Sequence, residues 1–224
     1  MRHRGILITT MLLMAAAGAE AVAVAQKPPG SLQMGGKKSV TRFFITSRGL
    51  GKGGNLGGLA GADAHCQALA KKEGSADHTW CAYLSTMATA NAPAVNARDR
   101  IGKGPWYNAL GDRIALNLDQ LHSGKNSINV DNAVTERGDP VTLEVHDILT
   151  GSRPDGTAYP GTADLTCANW TSSGKGRAQV GHHNAMGQDP RERSWNSAHA
   201  SRGCSQQDLT ATGGSGLFYC FAID

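Results

Sequence analysis

The chain carries five cysteines behind an N-terminal segment typical of exported proteins, and this combination limits the possible folds more than any other feature. The cysteines are Cys66, Cys81, Cys167, Cys204 and Cys220. Disulfides form and persist in oxidising compartments, so a disulfide framework with one cysteine left over is expected. The spacing of the five residues does not by itself determine which pairs form.

The N-terminal sequence MRHRGILITTMLLMAAAGAEAVAVAQ has the three parts of a secretory signal peptide. Two arginines precede an apolar stretch, and small residues at alternating positions follow it. We predict a signal peptide over residues 1–25, with cleavage after Ala25 or, alternatively, after Ala23. Because the apolar stretch is shorter than the ~20 residues of a membrane span, we expect a secreted or periplasmic protein without a membrane span once the signal is removed.

The rest of the chain is predicted to form one domain, because about 200 residues suit a single domain. Residues 26–39, QKPPGSLQMGGKKS, are rich in Pro, Gly and Lys and lack apolar periodicity, which predicts a flexible tether. Residues 40–224 would then be the domain. Its many glycines, 29 in the whole chain, and the aromatic content of only 5% predict short elements and long loops.

Within residues 40–224 the patterns predict an α+β fold with short strands and one or two helices. GADAHCQALAKKEG is typical of a helix that ends at Gly74 and turns Cys66 towards the core. LNLDQLHSG fits one further helical turn. Strands are predicted in VTRFFITS, WCAYLST, VTLEVHDIL, CANWTSS, RAQVGHH and GLFYCFAID.

The charge of the chain gives no sign of a nucleic-acid partner. Removing residues 1–25 takes away Arg2, Arg4 and Glu20, which lowers the formal net charge from +4 to +3. No basic run is longer than two lysines, so nucleic acid is not expected to bind.

The segments around the cysteines resemble a known family. GADAHCQALA, WCAYLST, VNARDRIGKGPWYNA, HDILTGSRPDGTAYPGTADLTCANWTS, GCSQ and LFYCFAI follow one another along the chain. Each motif is weak alone, but the ordered set resembles the endostatin-like branch of the C-type-lectin-like fold, over most of residues 40–224. It is similar to lectin-like proteins of bacterial origin within that branch.

The resemblance implies two nested disulfides, Cys66 with Cys220 and Cys167 with Cys204. Cys81 is then left over. It is either a buried free thiol or the site of an intermolecular disulfide that would link two chains into a dimer.

Lectin activity is the first function that the resemblance implies. Calcium-dependent C-type lectins bind Ca²⁺ and sugar through Glu-Pro-Asn or Gln-Pro-Asp and a later Trp-Asn-Asp. This chain has Arg153-Pro154-Asp155 and Trp195-Asn196-Ser197 at comparable places, so each triplet lacks one oxygen ligand. Ca²⁺ takes six to eight oxygen ligands, and we therefore expect carbohydrate binding without a cofactor. A role for calcium would depend on Asp155 and Asn196.

Sugar can also be held without a metal, by an aromatic face and a few polar groups. The segment between Cys167 and Cys204 is rich in such side chains. The residues predicted to bind ligand are Trp195, Asn196, His199, Arg202, His182 and Asp155. Trp170 is interpreted as core, whereas Trp195 fits a core residue or a binding platform equally well.

No residue is predicted to bind a metal ion. His182 and His183 are adjacent in a strand and would point to opposite faces. A site would need one of them together with His199 and a carboxylate such as Asp189. Ordinary hydrogen-bonded histidines are the favoured interpretation, since no ligand spacing motif is present.

The sequence does not predict an enzyme, because it has no nucleophile elbow, no His-Glu-x-x-His helix and no carboxylate pair that can be placed across a cleft. The expected function is non-enzymatic carbohydrate or glycoconjugate binding. The alternative is adhesion to a protein or to a sulfated glycan, for which the candidates are Arg177, Arg191, Arg193 and Arg202.

Overall fold

The computed structural model describes residues 38–224, so the predicted signal peptide and most of the predicted tether lie outside the described residues. The described chain is a mixed α+β structure. Its helices are α1 (Gly58–Lys72), α2 (Leu118–His122) and α3 (Gln206–Thr210), with a 3-10 turn at Ala97–Asp99 and a left-handed turn at Cys167–Trp170. Its strands are β1 (Phe43–Ile45), β2 (Trp80–Ala82), β3 (Trp106–Tyr107), β4 (Arg113–Ala115), β5 (Asp147–Leu149), β6 (Gln179–His182), β7 (His199–Ala200) and β8 (Gly214–Ala222).

The last strand, β8, organises the main sheet, whose order is β1-β8-β5-β6-β7 with β2 also paired to β8. Phe218, Cys220 and Ala222 belong to one buried cluster. Leu217, Tyr219 and Phe221 belong to a second cluster. Because successive side chains of a strand point to opposite faces, β8 is buried on both faces, which explains its continuous apolar sequence.

Helix α1 confirms the predicted helix, and its buried residues form the stripe expected of one helical face. These residues are Ala62, Cys66, Leu69 and Ala70. The helix ends just before Gly74, which has φ +77°. These helix residues pack in the same buried cluster as Phe218, Cys220 and Ala222 of β8.

Both disulfides implied by the resemblance are present. Cys66–Cys220 connects α1 to β8, across 154 residues of chain, and Cys167–Cys204 closes a loop of 37 residues. Cys81 is free and partly buried. Burial raises the pKa of the Cys81 thiol, helped by the nearby carboxylate of Asp63, so the thiol is protonated at neutral pH. The predicted dimer through Cys81 stays a prediction.

The strand predicted for CANWTSS is wrong. Cys167, Ala168, Asn169 and Trp170 all have positive φ, between +49° and +66°, and form one left-handed turn. Contacts distant in sequence hold it. The Asn169 side-chain amide exchanges two hydrogen bonds with the backbone of Met87, and the Trp170 indole donates to the carbonyl of Ser85. Trp170 is fully buried, as its core interpretation requires.

The described residues contain three α-helices where one or two were predicted, because the five-residue helix α3 forms behind a serine cap. Ser205 accepts a hydrogen bond from the backbone N–H of Asp208, three residues on. Within residues 38–224, no helix combines the length and the apolar character that crossing a membrane requires.

Candidate functional site

A groove of about 420 Å³ lies in the region where ligand binding is predicted. One wall is α2 and the chain after it, including Asn126 and Ile128, and the other is the segment 185–196. Pro154 closes one side. A groove of this size, with apolar walls and a few polar groups, is typical of small-ligand sites.

Trp195 is buried in the floor of this groove, with only 6% of its surface exposed. Its ring centroid lies 4.7 Å from that of Tyr83 and 5.2 Å from that of Tyr219. Its indole N–H donates to the carbonyl of Leu121 at 3.1 Å. Of the two alternatives, the core interpretation therefore holds, and only the edge of the indole is available to a ligand.

Asn196 connects the two triplets singled out in the sequence. Its side chain is buried, and its Nδ2 donates to the carbonyls of Arg153 and Pro154 at 3.1 and 3.2 Å and to the Tyr83 hydroxyl at 2.9 Å. Its Oδ1 accepts from the Ser194 hydroxyl. Because these partners occupy both ends of the amide, Asn196 positions the loop beside the groove and does not present its oxygen to a ligand.

Asp155 is exposed on the same loop, next to Pro154. Its Oδ1 accepts hydrogen bonds from the hydroxyl and the backbone N–H of Thr157, at 2.6 and 3.0 Å. The Thr157 hydroxyl is the main reason that the pKa of Asp155 lies below its ordinary value. Asp155 is thus a charged group beside the groove, which it does not line.

Replacing Asn196 with alanine should lower the free energy of unfolding by about 1–3 kcal/mol, because the buried Tyr83 hydroxyl and the Pro154 carbonyl lose the donor that Asn196 supplies. The Arg153 carbonyl keeps the backbone N–H of Gly156. Denaturant titration measures the loss. The matched control is Asn91→Ala, since Asn91 is exposed and its removal should change stability by less than about 0.5 kcal/mol. Equal stability of the two variants would show that the buried amide network does not hold this loop.

His122 forms part of the groove wall, and the fully buried Tyr83 contacts it from behind. The Tyr83 hydroxyl lies 2.7 Å from His122 Nε2, and His122 Nδ1 lies 2.8 Å from the Leu118 carbonyl. Burial raises the pKa of Tyr83 well above its ordinary value and lowers the pKa of His122. The wall therefore stays neutral at pH 7, with Tyr83 donating to Nε2 and His122 donating from Nδ1.

This arrangement predicts a pH dependence. Because the folded protein disfavours protonated His122, the unfolded chain binds more protons as the pH falls below about 6.5, and the free energy of unfolding should fall with it. Urea titrations between pH 7.5 and 5 measure this slope. His122→Gln keeps an acceptor for Tyr83 but does not titrate, so its slope should be shallower than that of the wild type. Identical slopes would contradict a depressed pKa at His122.

The other predicted ligand residues lie outside the groove. Arg202 pairs with Asp208 of α3 at 2.8 Å. His182 and His199 lie on β6 and β7 and face the buried carboxylate of Asp147. Burial alone would raise the pKa of Asp147, but the imidazoles of His182 and His199 hold it at about 2. Asp189, named from the sequence as an example of the carboxylate that a metal site would need, pairs with Arg191.

A second cavity, of about 410 Å³, lies between the segments 46–51 and 135–145. Arg48, Thr142 and Leu217 are among its lining residues. It contains none of the residues predicted to bind a ligand.

Comparison of the sequence with protein-family models and with curated proteins gives no match.

Proposed function

We propose that the protein is an exported, non-enzymatic carbohydrate-binding protein with a C-type-lectin-like, endostatin-like fold, and that a saccharide binds in the groove beside Trp195. The groove is the observation that carries this proposal. Its lining residues include the apolar Ile128, Pro154 and Pro190 and the cationic Arg193. Saccharides present C–H faces and hydroxyl edges, which such a surface complements.

The fold assignment has support besides the ordered motifs. The resemblance implies two particular disulfides among five cysteines, and those two pairs are the ones present in the structure. It also implies that the triplets Arg153-Pro154-Asp155 and Trp195-Asn196-Ser197 lie together, and Asn196 hydrogen-bonds to the first triplet.

The groove changes the roles of the predicted residues and adds Arg193, which is not among them. Arg193 and the edge of Trp195 would contact the sugar, and Asp155, next to the lining residue Pro154, would accept a hydroxyl beside the groove. Asn196 positions the Pro154 loop. The calcium-dependent mode is disfavoured because Asn196 Oδ1 is occupied by Ser194 and because Ser197 Oγ lies in hydrogen-bond contact with the Tyr159 hydroxyl, at 2.9 Å.

A neutral saccharide is favoured over a sulfated glycan or an acidic protein surface. Of the four arginines considered for that alternative, Arg191 and Arg202 each face a carboxylate, at 2.6 and 2.8 Å. These pairs reduce the positive field that would attract sulfate groups.

Binding of the disulfide-bonded protein to a glycan array tests the proposal. The array is probed with calcium added, with calcium omitted, and at high salt. We expect binding to a neutral glycan that persists in all three conditions, since screening weakens contacts between exposed charges most. Binding that requires calcium would restore Asp155 and Asn196 as ligands, and binding that disappears at high salt would favour the sulfated-glycan alternative. Absence of binding to any glycan would refute the assignment.

A further inference from the structure

Three histidines surround one buried carboxylate at the end of the main sheet. Asp147 begins β5 and is paired in register with His182 of β6, while His199 of β7 pairs with Val180. His146 directly precedes Asp147 in the chain. The Asp147 side chain is 1% exposed, whereas those of His146 and His199 are 30% and 37% exposed. We call these four residues, His146, Asp147, His182 and His199, the histidine cluster.

Several distances within the histidine cluster are close to those between the ligands of a tetrahedral metal ion. His182 Nε2 lies 3.0 Å from His199 Nε2. Asp147 Oδ1 lies 3.1, 3.3 and 3.5 Å from the Nε2 atoms of His182, His199 and His146. For metal–ligand bonds of about 2.0–2.1 Å, the edge of a tetrahedron is about 3.3 Å. His146, Asp147 and His182 offer one ligand atom each within 4.8 Å of one another, a set that does not include His199.

Backbone carbonyls orient two of the imidazoles for this role. His146 Nδ1 lies 2.9 Å from the carbonyl of Leu143, and His199 Nδ1 lies 3.3 Å from the carbonyl of Ala200. When Nδ1 donates to a carbonyl, Nε2 is left as the atom with the lone pair. Metal-binding histidines are commonly held in this way by a partner on the other ring nitrogen.

Ion pairs alone explain the histidine cluster poorly. Both Asp147 oxygens are buried, yet neither has a hydrogen bond of good geometry within the described residues. The two Nε2 atoms of His182 and His199 face each other at 3.0 Å, so they cannot both carry a proton directed at the other. A cation at the centre removes both problems, because it accepts the lone pairs of the imidazoles and neutralises the carboxylate.

We propose that His146, Asp147, His182 and His199 bind one divalent transition-metal ion, and that this ion is Zn²⁺. Three imidazole nitrogens and one carboxylate oxygen are a typical zinc ligand set, whereas Ca²⁺ prefers oxygen ligands. With all four residues bound, the ion would be four-coordinate, as in structural zinc sites. This requires the partly exposed side chains of His146 and His199 to turn towards the ion.

The proposed ion would stabilise the segment that forms one wall of the groove. His182 and His199 lie on either side of the segment 183–198, which supplies Arg193, Trp195 and Asn196 to the groove. An ion held by both histidines and by β5 would fix the two ends of that segment. The zinc site is nevertheless independent of the proposed sugar binding, since none of its four ligands lines the groove.

Metal titration of the disulfide-bonded protein, stripped of metal beforehand, tests this proposal. We expect one Zn²⁺ per chain in isothermal titration calorimetry. We also expect Co²⁺ to give the intense visible absorption of a tetrahedral ion. His146→Asn and His199→Asn change the two partly exposed ligands, and each should weaken zinc binding at least about a hundredfold. Circular dichroism checks that both variants are folded.

His65→Asn is the matched control, because it removes a histidine of α1 outside the histidine cluster. It should leave both the stoichiometry and the affinity unchanged. The proposal is overturned if the wild type binds no zinc, if His199→Asn binds zinc as tightly as the wild type, or if His65→Asn loses as much affinity as His199→Asn. None of these readouts depends on glycan binding.

Discussion

Replacing both Cys66 and Cys220 with alanine should lower the free energy of unfolding by about 5 kcal/mol. The disulfide closes a loop of 154 residues, and in the chain-entropy model a loop of this length contributes about that amount. A loss of this size is comparable to the whole stability of an ordinary domain. Guanidinium titration followed by tryptophan fluorescence measures it, and we expect the double variant to be largely unfolded at 37 °C.

Cys81→Ala is the matched control for this prediction, because it removes a partly buried cysteine and leaves both disulfides intact. The free energy of unfolding of Cys81→Ala should fall by only about 1 kcal/mol, the centre of the range for single substitutions. If the double variant unfolded at the same denaturant concentration as Cys81→Ala, the connection between α1 and β8 would not be a main source of stability.

The second large effect is expected from adding a single methyl group at Gly181, in the middle of β6. A Cβ there would lie 1.9 Å from the carbonyl oxygen of Trp195 and 2.4 Å from the Cα of Asn196. Both are backbone atoms, so no side-chain rotation relieves the overlap. Gly181→Ala should therefore cost about 3 kcal/mol or more in the free energy of unfolding, and it should displace the groove segment.

Thermal unfolding and near-ultraviolet circular dichroism measure these two consequences, because Trp195 contributes to the aromatic signal. Gly174→Ala is the matched control, since its added Cβ would have the Ser172 hydroxyl as its nearest neighbour, at 3.8 Å. It should change stability by less than about 0.5 kcal/mol. If Gly181→Ala retained wild-type stability and spectrum, the close packing of β6 against the 195–196 segment would be incorrect.

Elements whose pattern is local were predictable from the sequence. Helix α1 has a clear apolar stripe and a glycine end signal, and β8 has a continuous apolar run that ends the chain. The disulfide pairing was predictable only through the resemblance, because cysteine spacing leaves several pairings open.

The left-handed turn at Cys167–Trp170 could not be predicted from local propensity. Its conformation depends on Met87 and Ser85, which are more than 80 residues away in sequence. Neither residue carries a motif that points to this contact. The segment CANWTSS was therefore assigned to a strand on its composition alone.

The candidate site was predictable in its region but not in its details. The segment between Cys167 and Cys204 does line the groove, yet Trp195 and Asn196 are buried. This burial could not be predicted, because Trp195 has polar neighbours in SWNSAH and packs against Tyr83 and Tyr219, which are distant in sequence.

The histidine cluster could not be predicted from the sequence, because it forms through the pairing of β5, β6 and β7, which no local pattern reveals. The sequence points to His182 and His199 as members of a possible metal site, but nothing in it places His146 or Asp147 beside them.

The central claim is that a saccharide binds in the groove. The most direct test compares two arginine variants in their affinity for a glycan identified on the array. Arg193 lines the groove, whereas Arg177 is an exposed arginine of the same segment that does not line it. A hydrogen bond from a charged group contributes about 1.5–3 kcal/mol. We therefore predict that Arg193→Ala weakens binding tenfold or more, and that Arg177→Ala leaves it within about twofold. Equal affinity of both variants for the glycan would place the binding site outside the groove and contradict the proposal.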